Sequence, residues 1–491
     1  MTQRFPIIVR EAFKSLPDEA SHSATQAPEG RAVFTPADHE GALDPHRSVV
    51  VGDRGTGKSF WSSVLINQDI KALVAKSYSR LGLDRVEGRL GFSDGEMAAR
   101  HPSRSEIKSI MDNFSAEDLW RAVLLRFAPI TIPSAPQKES AWSEWVSWVA
   151  EDPARRNEAF RRLDNSLIGQ RKIYVLVLDA LDTITTDWNG IRVQMKGLIR
   201  LALAVRALKA VRIKMFIRPD MADDRSLWAV GDASKLRHNE VELTWKRRDL
   251  YGLLWTLLAN VNNDDSARSF RNFCASKFGA KFDGVDNVWR PPLELIESED
   301  LQGKVFHALA GNFMGAGPRR GDTYKWVPNH LSDAAGFAAP RSFLLAMKTA
   351  AQETKSRETV LDKSGIESGA RHASKIRVQE LSEDYGWMGT VLEDMEGLVV
   401  PLEENDLAVR WRERGTLKKL QSEAEKQKND SRYIPPGEVL MAEETKAYAL
   451  LIEQLVRLKI FFRLADLRIN MPDLFRLQAK VKRKGGMKPR A

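Results

Sequence analysis

The chain is poor in the residues on which several kinds of chemistry depend. Among its 491 residues there is one cysteine, Cys274, which excludes an internal disulfide and a cysteine-clustered zinc site. A buried apolar thiol is the expectation for it. No apolar run approaches the ~20 residues needed to cross a bilayer, so no membrane partner is expected. The opening MTQRFPIIVREAFKSLPDEA has neither the apolar stretch of a signal peptide nor the acid-poor, Arg-rich character of a transit peptide, which predicts a soluble, cytoplasmic protein. The eight histidines include no HExxH and no closer ligand pair than His39 and His46. A GxGxxG pattern is missing as well, so zinc hydrolases and dinucleotide-dependent enzymes lack their signatures.

What is present describes a globular chain. Hydrophobic residues make up 43% and charged residues 29%, and the length predicts about two to four domains. The net charge of +9 comes from 75 basic against 66 acidic residues. Much of that surplus is concentrated at the C-terminus, where Arg476, Lys480, Lys482, Arg483, Lys484, Lys488 and Arg490 face only Asp473. Such a tail suits a phosphate backbone or an acidic partner, and suits equally a solvated chain end.

Residues 1–40 have weak periodicity and read as an extended arm. From Arg47 the pattern becomes SVVV, a glycine-rich turn and an apolar-periodic run from Phe60 to Ile66, which predicts strand, loop and helix. Residues 103–170 read as helical, with Trp120, Val123, Leu124 and Phe127 on one face and Trp142, Trp145 and Trp148 on another stripe, both expected in the core. KIYVLVLD (Lys172 to Asp179) reads as a strand buried on both faces. A helix over about 193–208 and a second buried strand, VRIKMFIRPD, complete a βαβ rhythm. The expected fold class is therefore α/β: a doubly wound P-loop core with a parallel sheet over 41–235, including a helical insertion between 65 and 170. A helical lid is expected over 236–355, and a helical or winged-helix region over 356–491 that begins with a polar linker at 355–374.

Gly52-Asp53-Arg54-Gly55-Thr56-Gly57-Lys58-Ser59 matches GxxxxGK[ST] between a strand and a helix start. There, small residues let backbone N–H groups curl round a β-phosphate, and the helix N-terminus adds its positive dipole end. Lys58 would reach the β- and γ-phosphates, Ser59 would bind Mg²⁺, and Phe60 closes the nucleotide-binding stretch. Asp179, ending the best buried strand, is the second metal-site candidate. Ala180 stands where many P-loop ATPases carry a catalytic acid, so Asp182 is the acid expected to polarise the attacking water, or else to cap a helix. No NKxD-like guanine-reading motif follows, which favours ATP.

With D-x-L-D after its apolar strand, the chain resembles the STAND and KAP groups of P-loop ATPases, NACHT modules among them, within the AAA+-like (ASCE) division. The resemblance spans about residues 45–350. It implies a γ-phosphate sensor at Arg218 in FIRPD and a lid arginine at Arg341 in GFAAPRSF. It also implies a winged helix within 375–491 and assembly as a homo-oligomer or with a partner protein, with Arg206 or Arg212 as residues that could act across an interface. The implied function is an ATP-binding and ATP-hydrolysing regulatory switch, of a kind found in bacterial conflict and phage-defence systems. Two alternatives stand beside it: an ATP-dependent protein that binds duplex DNA through its basic C-terminus, as origin-recognition or transposition ATPases do, and a nucleotide-stabilised scaffold without turnover.

Overall fold

The computed structural model describes residues 5–17, 28–94, 100–185, 187–285, 287–426 and 437–483. The chain divides into two compact units, one of residues 21–244 and one that joins residues 1–20 to 245–491. The boundary at Thr244 lies a few residues beyond the expected one at 235, and the expected lid and C-terminal region share one unit.

Residues 21–244 are built on a five-stranded sheet. Its strands are β1 (Val49–Val51), β2 (Val86–Phe92), β3 (Ile173–Leu178), β4 (Val211–Ile217) and β5 (Val241–Glu242). Their spatial order is β2-β3-β4-β1-β5, and every neighbouring pair is parallel. The period-2 alternation of a strand explains why KIYVLVLD is apolar throughout. Tyr174, Leu176 and Leu178 point into one core with Trp120, Trp145 and Leu198, while Val175 and Val177 point into a second core with Trp61 and Val64. Helices therefore cover both faces, as a doubly wound fold requires.

Two strands depart from expectation. β2 lies inside the stretch read as a helical insertion, and β5 lies past the expected end of the core. The sequence of β2, VEGRLGF, hides it because its glycines look like breakers. Here they are packing residues: a Cβ on Gly88 would sit 2.2 Å from the carbonyl oxygen of Leu65, and one on Gly91 would sit 2.7 Å from Leu176. The rest of the insertion is helical at Arg104–Met111, Ala116–Arg126, Trp142–Glu151 and Pro153–Gly169. The tryptophans named above are buried in the core as expected.

The second unit is mostly helical. Its first element, Phe5–Lys14, is a ten-residue helix, not an extended arm. Val9, Ala12 and Phe13 are buried, and Arg10 donates to the carbonyls of Val360 (2.9 Å) and Thr359 (2.6 Å). Short length and Pro6 conceal the helix in the sequence, yet FPIIVREAFK carries the apolar i, i+4 pair Val9 and Phe13. The expected linker is also a helix, Lys363–Asp384. Its small residues are a contact stripe rather than a flexible run, since a Cβ on Gly365 or Gly369 would fall 2.4 or 2.1 Å from the carbonyl oxygens of Ala350 or Ala346 on helix Pro340–Glu353. The remaining C-terminal elements include helices Glu404–Arg414, Thr416–Lys426 and Glu444–Arg457. They also include an antiparallel pair, Phe462–Arg463 with Ile469–Asn470, and a parallel pair, Val399–Val400 with Lys482–Arg483. The strand that runs through Pro472 into a short helix is present as expected, at Ile469–Asn470 and Asp473–Arg476. Cys274 is buried, and burial raises its thiol well above the ordinary range.

The glycine stripe sets a stability prediction. Gly369→Ala should lower unfolding stability by about 1–3 kcal/mol through overpacking. Gly389→Ala, whose added Cβ meets nothing nearer than 3.9 Å, should be neutral or slightly stabilising. Urea unfolding of both variants checks the difference, and equal midpoints would contradict it.

Candidate functional site

β1 delivers the glycine-rich loop at the carboxyl edge of the sheet, and helix Lys58–Ile66 leaves from it. Gly55 (φ 79°) and Gly57 (φ 104°) take left-handed conformations that other residues adopt only under strain. Gly52 is required for a different reason: a Cβ there would lie 2.5 Å from the Thr56 hydroxyl oxygen. The Gly52 amide donates to the Ile217 carbonyl on β4 (3.1 Å), and Thr56 closes the loop by donating its hydroxyl to the Asp53 carbonyl (2.8 Å). At the far end of the helix, buried Lys71 donates to the carbonyls of Leu65 (3.3 Å) and Val86 (2.5 Å), and burial lowers its amine to about 8.

Lys58 folds back over the loop, and its ammonium donates to the carbonyls of Gly52 (2.7 Å) and Asp53 (3.1 Å). Burial pulls its basicity down, while Asp182, Asp179 and Asp53 oppose that pull. The structure thus gathers the loop lysine and both candidate acids into one electrostatic cluster. Asp179 is 1% exposed, and burial raises its carboxyl; the Ser59 hydroxyl, which donates to it, and Lys58 act in the other direction. Its backbone amide donates to the Phe92 carbonyl (3.0 Å), while its Oδ2 is buried without a hydrogen-bond partner. A buried carboxylate oxygen left unmatched beside a serine hydroxyl is a donor set suited to a hard cation such as Mg²⁺.

Ala180 adopts φ 53°, and the chain then turns through Leu181–Thr183. That turn carries Asp182 away from a helix-capping role. Its Oδ2 instead accepts from Arg218 Nη1 at 3.1 Å, and Arg218 also grips Asp220 through Nη2 (2.7 Å) and Nε (3.1 Å). Arg218 and Asp182, nominated separately, are therefore one ion pair at the ends of adjacent strands. Arg341 is in the other unit, where it pairs with Glu380 at 2.7 Å. Arg206 and Arg212 donate to backbone carbonyls of Lys235 and Leu208. Phe60 stands edge-on to Trp61 with ring centroids 4.9 Å apart.

Sequence reading missed His39, which belongs to the support of this loop. Trp61 Nε1 donates to His39 Nδ1 (3.0 Å), which places the ring proton on Nε2 and makes that nitrogen the donor to the Thr244 carbonyl (2.9 Å). A fully buried imidazole thus ties the first turn of the P-loop helix to the last residue of its unit. Nothing in sequence spacing marks it, because the contact is made across the fold.

The C-terminal basic run is largely spoken for where it is described. Arg476 is buried and donates to Asp473 (2.6 Å), Lys480 pairs with Glu396 (3.3 Å), and Arg483 lies 3.6 Å from Asp473. Lys482 is exposed, and Lys484, Lys488 and Arg490 lie outside the described residues. Among the described residues no helix is long and apolar enough to cross a membrane.

A parallel, doubly wound sheet with this loop on one strand and a buried aspartate ending another defines a P-loop protein. No family model and no curated protein matches the chain. Among solved structures it is similar to the ORC2 protein of Aeropyrum pernix in its ADPNP and ADP complexes, at 12% identity and a TM-score of 0.30, over 88% of this chain and 85% of that one. It is similar also to CDC6P from Pyrobaculum aerophilum, at 11% identity and a TM-score of 0.27, over 88% and 86%. Likenesses this distant carry nothing further, and the P-loop assignment rests on sheet order and loop geometry.

Burial lowers the His39 imidazole to about 4, so between that value and the ordinary ~6.5 the unfolded chain binds the extra proton and stability rises with pH. Lowering pH from 7.5 to 5.5 should therefore remove about 1.4 kcal/mol that His39→Gln does not lose. Urea unfolding of both proteins at the two pH values measures it; parallel losses would contradict the buried neutral imidazole.

Proposed function

We propose that this protein binds ATP with Mg²⁺ at Gly52–Phe60 and hydrolyses it to drive a switch between two arrangements, as an AAA+-like P-loop ATPase of the cytoplasm. The observation that carries the reading is the Oδ2 of Asp179, buried beside Ser59 without a hydrogen-bond partner. Bound Mg²⁺ would supply charge neutralisation to the phosphates, held by Ser59 and Asp179. The loop amides would cradle the phosphates while Lys58, released from the Gly52 and Asp53 carbonyls, turns its ammonium to them. Arg218 binds both Asp182 and Asp220, so a substitution at Asp182 or Arg218 changes the net charge that acts on Lys58.

Among the described residues no second active site is recognised, which favours conformational work over modification of a substrate. The STAND-type switch, acting as a homo-oligomer or on a partner protein and possessing a defence role, is the finer form of this proposal and rests on the sequence resemblance. The duplex-DNA alternative draws no support from the described basic residues, which are mostly paired within their own unit. The scaffold alternative draws support from Ala180 and from the engagement of Asp182 with Arg218.

Steady-state hydrolysis by the full chain with Mg²⁺, with and without duplex DNA, tests the reading. Lys58→Ala should lower turnover at least about 100-fold. Stimulation by DNA would favour the DNA-binding form, and tight ATP binding without turnover would leave only the scaffold. Asp179→Asn should abolish Mg²⁺-dependent nucleotide binding yet stabilise the nucleotide-free protein by on the order of 1 kcal/mol, because it removes a carboxyl whose ionised form burial disfavours. A destabilised Asp179→Asn protein that still binds Mg²⁺ and ATP would overturn the metal assignment.

A further inference from the structure

Ala180 leaves the position after the metal-site aspartate without an acid, and Asp182 is held by Arg218. The neighbouring strand offers another carboxylate. β2 runs parallel to β3 with Phe92 opposite Leu178, and the Asp179 amide completes that pair by donating to the Phe92 carbonyl at 3.0 Å, so the two strands end side by side. Asp94 stands two residues past Phe92, as Ala180 stands two past Leu178, so both leave neighbouring strands at the same edge of the sheet. The exit of β2 is also fixed. The Ser93 amide donates to Nε2 of buried His101 at 3.1 Å, and Ser93 itself is fully buried. Asp94 follows as an exposed residue. It lies close enough to Asp179 for its negative charge to help hold that carboxyl up.

We propose that Asp94 is the acid that activates water in this protein, supplied from the end of β2 beside the end of β3, with His101 as its positioning residue. This inference rests on the nucleotide site proposed above. In the step concerned, a water oxygen forms a bond to the γ-phosphorus as the bond from that phosphorus to the β,γ-bridging oxygen breaks. The electron pair leaves with ADP, and the water proton passes to the Asp94 carboxylate and then to solvent. An exposed carboxylate suits this exchange, because it returns its proton to solvent without crossing the protein. A catalytic acid on an adjacent strand requires that the strand end be rigid, and the two backbone anchors at Phe92 and Ser93 provide that.

The test uses the full chain with Mg²⁺, a fluorescent ATP analogue to read binding, and single-turnover hydrolysis of ATP. Asp94→Asn should bind the analogue with unchanged Kd and lose at least about 100-fold in the hydrolysis rate, with part of the rate restored in Asp94→Glu. His101→Ala should lower the rate while leaving Kd unchanged. Thermal unfolding of each variant confirms that it is folded, and Asp94→Glu keeps the question open to decision if Asp94→Asn is not. Hydrolysis by Asp94→Asn at the wild-type rate overturns the inference and leaves the nucleotide site standing. Tight binding by the wild-type protein with no turnover overturns it as well. Failure of the wild-type protein to bind the analogue would instead remove the nucleotide site itself.

Discussion

A carboxylate shut away from water at the end of a strand buried on both faces is the constraint on which the core depends. Asp179 is nearly inaccessible, one of its oxygens has no partner, and its ionised form is disfavoured by burial. Such a group is costly unless something compensates it. The surroundings are arranged accordingly: Ser59 donates to it, Lys58 acts on it from the loop, and the backbone of β2 accepts its amide proton. The glycine conformations of the loop place Ser59 and Lys58 there, and the sheet order places the loop. Loop, strand and helix therefore form one electrostatic unit rather than three elements that happen to be adjacent.

The sheet order determines which residues can take part. With β4 between β1 and β3, the ends of three strands converge, and Arg218 at the end of β4 meets Asp182 beyond the end of β3. On the other side of β3, β2 ends with Phe92 opposite Leu178, and Asp94 follows two residues on. Supports lie further out: Lys71 closes the far end of the P-loop helix, and His39 pins its first turn through Trp61. Both act as buried donors or relays at places where backbone or ring nitrogen would otherwise be unmatched.

The helical unit shows a different economy of charge. Its conspicuous basic residues are engaged internally, with Arg476 buried against Asp473, Arg341 against Glu380 and Arg10 against backbone carbonyls. Among the described residues of the C-terminal basic run, Arg476 and Arg483 lie against Asp473 and Lys480 against Glu396, while Lys482 is exposed. The glycines at 365 and 369 carry the same lesson for flexibility. They mark the place where two helices come into backbone contact, and they belong to a long helix instead of a linker.

The sequence by itself determined the P-loop, because phosphate-gripping geometry needs glycines, a lysine and a hydroxyl at fixed spacing within a few consecutive residues. It determined β3 and β4 as well, since a strand covered on both faces must be apolar at every position, and it determined that Asp179 ends such a strand. Periodicity also marked the tryptophan-lined helices of the core. Only the tertiary structure decided that VEGRLGF is a strand, that the N-terminal segment is a helix of the second unit, and that 363–384 is a helix. In the strand and in 363–384, glycines chosen for close approach to a distant neighbour resemble residues chosen for flexibility, and in the N-terminal segment short length and Pro6 hide the helix. It alone paired Asp182 with Arg218, enlisted His39, and set the end of β2 beside the end of β3, because these relations join segments that are far apart in the chain, and local patterning carries no record of them.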